Sequence, residues 1–312
     1  MQAAVDALLP ILLIIAVGAL VRWRGLLTPD QWIGFEKMAY HVLFPSIIIH
    51  TLSTTDFGAV PAFPLGATLF CAIIAMAVIV LALKRVLCHG LSLSNAAFTS
   101  LFQGATRWNT FVGIAMAGAL FGSEGVALIA VAVIAMIPTL NFLCVGVLVR
   151  YGSAERPSLG KLALDLAKNP FIWSCAVGIS INLTGLIPPQ PVLTALDLMG
   201  RSALAAGLLA VGAGLRLSAL ARPTGGAIAS SVLRLFGMPL LAGLFAHLFG
   251  LPPMALGVAI IATAVPTATG GFLLARQMGG DHGLMAEIIT LQSVAAIATM
   301  PIAIAVLAPS AL

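Results

Sequence analysis

Ten apolar runs, each near the ~20 residues a helix needs to cross the hydrocarbon of a bilayer, leave this chain few ways to fold. Their approximate limits are 4–21, 33–52, 63–83, 93–121, 124–149, 170–187, 195–215, 225–249, 254–276 and 283–308. The second is the least clear, because it opens on the polar stretch FEKMAYH. Only 8% of the 312 residues are charged, against roughly a quarter in a soluble domain. With a mean hydropathy of +1.12, the chain is expected to be an all-α membrane protein of ten transmembrane helices. The first run leads into Arg22-Trp23-Arg24-Gly25 with no small-residue cleavage site, so it reads as a span and not as a signal peptide.

The placement of charge gives the orientation. Alternate connections carry Arg22 and Arg24, then Lys84 and Arg85, then Arg150, Arg156, Lys161 and Lys168, then Arg216 and Arg222, then Arg276. The opposite connections, near Asp56, Glu124, Leu186 to Gln190 and Leu251 to Pro253, carry neither lysine nor arginine. Basic loops stay on the cytoplasmic side. The loop over 152–168 is therefore expected in the cytoplasm and both termini outside. No basic stripe interleaved with aromatics is present, so nucleic acid is not an expected partner. Cys71, Cys88, Cys144 and Cys175 lie in or at the ends of apolar runs without CxxC spacing and read as small buried hydrophobes.

The chain also resembles itself. At an offset of 160, LPILLIIAVGALVRWRGLLTP lies over NPFIWSCAVGISINLTGLIPP, with Pro10 on Pro170, Gly18 on Gly178 and Gly25 on Gly185. At an offset of 157, ATRWNTFVGIAMAGALFGSEG lies over ATAVPTATGGFLLARQMGGDH, with Thr110 on Thr267 and Gly122 on Gly279. This predicts two five-helix halves, residues 1–151 and 169–312, joined by a cytoplasmic linker over 152–168. An odd number of spans per half inverts the second half, an arrangement that transporters use to open alternately to either side of one central site.

The fourth and ninth spans correspond under this repeat, and each interrupts its own helix. The ninth has Pro266, which lacks an N–H and clashes with the preceding turn, followed by Gly270 and Gly271. The fourth has Gly104 and then the polar cluster Arg107-Trp108-Asn109-Thr110. Broken backbone at membrane depth is tolerated only against protein or a water-filled cavity. The N-terminal ends of half-helices suit an anionic group. Arg107 either holds a substrate carboxylate or neutralises the helix dipoles where the two spans cross. Asn109 and Thr110 either donate to substrate oxygens or cap the second half-helix. Thr267 and Thr269 are weaker candidates for the same site, and Trp108 either stacks on a substrate or packs in the core.

NTFVGIAMAGALFG, KNPFIWSCAVGISINLTGLIPP and AVPTATGGFLLARQMGGD together resemble the auxin efflux carrier family, which includes plant auxin exporters and bacterial carriers of malonate or malate. The resemblance runs through essentially the whole chain. It implies the ten-helix inverted-repeat fold shared with sodium/proton antiporters and bile acid transporters. Helices one, two, six and seven would form a scaffold, and helices three to five and eight to ten a moving core. It also implies a homodimer through the scaffold and, for a bacterial member, the cytoplasmic (inner) membrane. The family's Asn-Thr at the first crossover falls on Asn109 and Thr110, and its proline at the second on Pro266. Asp56 resembles an acid that the plant carriers have just past the second helix. Trp108 and Ala115 stand where many members have proline.

The remaining polar residues in spans have ordinary readings. His41, His50 and His247 face headgroups or bond to carbonyls unless they relay protons. Glu287 opens the tenth helix, where an acid suits the dipole. Arg201 and Arg234 snorkel to interfaces. Gly207, Gly212 and Gly214 permit close helix packing. No HExxH motif or nucleophile elbow is present, so an intramembrane enzyme is a weak alternative. A channel or receptor with the same fold is another. No cofactor or metal is expected. The leading expectation is a carrier of small organic anions whose site comprises Arg107, Asn109, Thr110, Pro266, Thr267 and Thr269.

Overall fold

A computed structural model describes residues 2–55, 61–152, 168–186, 188–215 and 222–311, with 160, 164 and 220. Asp56 and most of the 152–168 loop lie outside the described residues. Those described are helical or lie in short connections, and none is in a strand. Among the described residues, five stretches are long and apolar enough to cross a membrane: Ala62–Ala82, Asn95–Tyr151, Gln190–Gly214, Gly225–Leu248 and His282–Leu307. Leu9–Trp23, Pro170–Thr184 and Pro253–Ala264 are shorter apolar helices. Large apolar side chains such as Leu13, Phe63, Phe142, Leu198 and Val306 stand on the outside. Lipid tails accept that surface, whereas on a soluble monomer apolar patches of any size mark a contact site.

The elements follow the apolar runs, with breaks that have local causes. Helix α1 (Gln2–Trp23) is followed by α2 (Pro29–Met38), a π turn (Ala39–Leu43) and α3 (Phe44–Thr54). Thr28 and Gln31 form a reciprocal capping box at the start of α2, with Pro29 in its first turn. Next come α4 (Ala62–Ala82), the short α5 (Lys84–Gly90), α6 (Asn95–Thr106) and α7 (Thr110–Tyr151). At 42 residues, an unbroken α7 would be about twice the thickness of the hydrocarbon. Gly122 divides it, with φ 60° and ψ −144°, a backbone that only glycine adopts without strain. The break falls where the fourth and fifth runs were separated in the sequence.

After these come α8 (Pro170–Thr184), α9 (Gln190–Gly214), α10 (Gly225–Val232), a π turn (Leu233–Gly237) and α11 (Met238–Leu248). The last elements are α12 (Pro253–Ala264), α13 (Gly270–Gln277), α14 (His282–Leu307) and a 3-10 turn at Pro309–Ala311. Each of the two π turns ends just before a proline, Pro45 and Pro239. The widened turn accommodates the missing N–H and the clash of the ring.

The helices pack in two groups. Helix α1 lies along α9, and α3 lies against both α8 and α9. A Cβ on Gly18 would run into the Leu209 carbonyl, and one on Gly212 into the Ile15 carbonyl. The seventh-span glycines thus act as packing residues, as read from the sequence. The other group is α4, α6, α7 and α10–α14. Phe44 of α3 stacks on Phe111 of α7 at 4.4 Å between ring centroids, with Phe171 of α8 tilted against both.

Candidate functional site at the crossing of two broken helices

Helix α6 ends at Thr106 and α7 begins at Thr110; α12 ends at Ala264 and α13 begins at Gly270. The two gaps meet. The backbone N–H of Asn109 donates to the Pro266 carbonyl at 2.8 Å. Gln292 of α14 braces the same crossing. Its Oε1 accepts from the Thr267 N–H at 2.9 Å, and its Nε2 donates to the Gly104 carbonyl at 3.0 Å. One amide therefore serves a donor from one broken helix and an acceptor from the other.

The C-terminal ends of both first half-helices share one cation. Arg234, on the π turn between α10 and α11, is fully buried. Its Nη1 donates to the Thr106 carbonyl at 3.2 Å, its Nε to Val265 at 2.9 Å and its Nη2 to Ala262 at 3.0 Å. These are the carbonyls that helix ends leave unpaired, at the negative end of each dipole. Arg234 does not snorkel, contrary to expectation. It takes the dipole-neutralising role that was one of two readings of Arg107.

Arg107 is placed differently. It is half-buried, and its Nη2 donates to Asn141 Oδ1 at 3.1 Å. Its Nε is buried without a partner. Its Cδ lies 3.6 Å from the point a Cβ on Gly271 would occupy, over the first turn of α13. A guanidinium thus stands beside the positive end of a half-helix, held by a neutral oxygen. Two positive ends held together are stabilised by an anion between them.

The other predicted residues divide between structure and chemistry. Asn109 is buried, and its Oδ1 accepts from the N–H groups of Phe111 and Val112 at 3.1 and 3.3 Å. It therefore caps α7, which leaves Nδ2 as the end of the amide with a donor to offer. Thr110 is half-buried at the first position of α7. Thr267 is fully buried, and its Oγ1 has no partner. Thr269 is half-buried and donates from Oγ1 to Glu36 Oε1 of α2 at 3.3 Å. Trp108 is core, with its ring against Gly113. Gln103, one turn before Arg107, is fully buried with both ends of its amide unpartnered.

Other readings also change. Glu287 does not serve the start of α14, where Asp281 is the cap and accepts from the Leu284 N–H at 2.9 Å. Glu287 instead accepts from the backbone N–H and the hydroxyl of Thr224, the cap of α10. Arg201 pairs with Asp197 on the exposed face of α9 at 2.9 Å. His41 and His247 are exposed and His50 half-buried, away from the crossing. Two surface cavities lie elsewhere, one at Ser53, Thr54, Ile181 and Asn182, the other among Leu52, Phe63, Val131 and Ile179.

Long apolar helices, two of them interrupted where they meet, are an arrangement that a membrane transport protein can use. The comparisons agree. Residues 152–304 match the family described as membrane transport protein. A relative from Methanothermobacter thermautotrophicus, described as an uncharacterized transporter, is 23% identical over 302 residues, covering 96% of this chain and 97% of its own length. Both similarities are to membrane transport proteins, in line with the resemblance its sequence carries.

Proposed function

We propose that the protein is a secondary transporter of small organic anions, carboxylates of the auxin or dicarboxylate type, working by alternating access around the crossing. The observation that carries this reading is Arg107 poised over the first turn of α13, while Arg234 separately neutralises the opposite helix ends. The fixed charge that the crossing requires is already present, so Arg107 is a surplus positive charge beside it. Intramembrane charges of this kind mark substrate paths, and arginine matches a carboxylate with two parallel donors. Gln103, Thr267 Oγ1 and Arg107 Nε add buried polar atoms in want of a partner.

On this reading residues 1–151 and 169–312 are two inverted repeats joined by the 152–168 linker. Helices α1–α3, α8 and α9 are the scaffold, through which two copies pair, and the other group is the core that moves. The protein lies in a bacterial inner membrane with both termini outside, and its action is transport without catalysis. Saturable uptake with counterflow by the purified protein in liposomes tests the assignment. Flux that fails to saturate and shows no counterflow would indicate a channel.

A further inference from the structure

The hydrogen bonds at the crossing lie within the core group, but Thr269–Glu36 leaves it. Glu36 sits on α2, which packs against α9 and the first π turn. Thr269 is the residue immediately before α13, on the same turn that Arg107 overlies. Gly214, at the end of α9, approaches the Thr269 methyl as well. Glu36 has no ion-pair partner among the described residues. A half-buried carboxylate without a counter-ion needs a reason to be there. What Glu36 has is a hydroxyl donor and the positive end of α13, the same two features that would receive the carboxylate of a substrate.

We propose that Glu36 is the resident anion of the empty site: its carboxylate occupies the position at Thr269 and the first turn of α13 that a substrate carboxylate takes over. Binding then displaces Glu36, and its return helps to expel the substrate. Because Glu36 belongs to one packing group and Thr269 to the other, displacement also cuts a tie between them. Occupancy is thereby linked to the freedom of the core to move. The inference rests on the anion-carrier reading above and assigns to that site a competitor supplied by the chain itself.

The test compares wild type, Glu36→Gln and Glu36→Asp as purified proteins, using acetate, benzoate, malonate and citrate as probes. Melting temperature without probe controls for folding, and titration gives each affinity. Glu36→Gln keeps the shape and removes the charge. Glu36→Asp keeps the charge but is one methylene too short to hold Thr269. Direct competition predicts that both variants bind a carboxylate about tenfold more tightly or better, since each has given up a charged hydrogen bond that the substrate must otherwise displace. Tighter binding by Glu36→Gln with wild-type affinity in Glu36→Asp would reduce Glu36 to a distant field, and equal affinity in all three would remove it from the site. Either result overturns the proposal while leaving an anion site. If no carboxylate binds any of the three, the anion-carrier reading fails and this inference goes with it.

Discussion

Arg234 and Thr106 lie 128 residues apart in sequence and meet at 3.2 Å, guanidinium to carbonyl, so that α6 ends on a side chain that also ends α12. Each carbonyl that loses a buried donor costs about 1–3 kcal/mol, and three are served here. Arg234→Met should therefore destabilise the protein by at least about 3 kcal/mol, or roughly 10 °C in melting temperature. Arg234→Lys should fall between, because a compact ammonium cannot span three acceptors. A wild-type melting curve for Arg234→Met would contradict the role.

Arg107 should behave in the opposite way. With one neutral partner, its loss costs less than about 1.5 kcal/mol of stability. Arg107→Ala should fold normally and abolish transport, and Arg107→Lys should fold and bind more weakly. Normal uptake by a well-folded Arg107→Ala protein would take Arg107 out of the site.

Asn109 allows cap and ligand contact to be separated. Its Oδ1 holds the α7 cap, which aspartate can also supply. Asn109→Asp should keep the melting temperature close to wild type. It should weaken anion binding at least tenfold, having exchanged a donor for a negative charge. Asn109→Ala should lose both binding and about 1 kcal/mol of stability. If Asn109→Asp binds as wild type does, the residue is a cap alone.

Pro266 supplies the carbonyl that accepts from Asn109, and alanine would supply it equally. What alanine removes is the block on helix formation through the gap. Pro266→Ala should therefore bind substrate nearly as wild type does and turn over more slowly. The ratio of single-turnover to equilibrium-binding measurements separates the two effects.

Orientation is testable without a substrate. Single cysteines at Ser153 and Ser310, in a background lacking the native four, should react differently with an impermeant thiol reagent on intact cells. Ser310→Cys should label and Ser153→Cys should not. The reverse pattern would turn the protein over.

The helices were legible because apolar runs of span length have few alternatives, and the breaks because Pro266 and the Arg107–Thr110 cluster contradict an unbroken helix locally. The roles of the arginines were not. An arginine in an apolar run looks the same whether it snorkels or lies buried; only the packing of α10 against α6 brings Arg234 to the helix ends. The π turns were hidden too, since one inserted residue shifts the periodicity too little to register. Gln292 and Glu36 act across 188 and 233 residues of chain respectively. Nothing in their own neighbourhoods marks them.

A crossing whose neutralising cation is covalently part of the chain does not have to collect one from its surroundings. The Arg234 guanidinium is out of reach of solvent, where mobile salt screens little. The brace at the crossing therefore comes with the chain itself, and a change of ionic strength should leave it in place. Ions of the medium are left to act on the exposed surface of the protein, not on the brace at its centre.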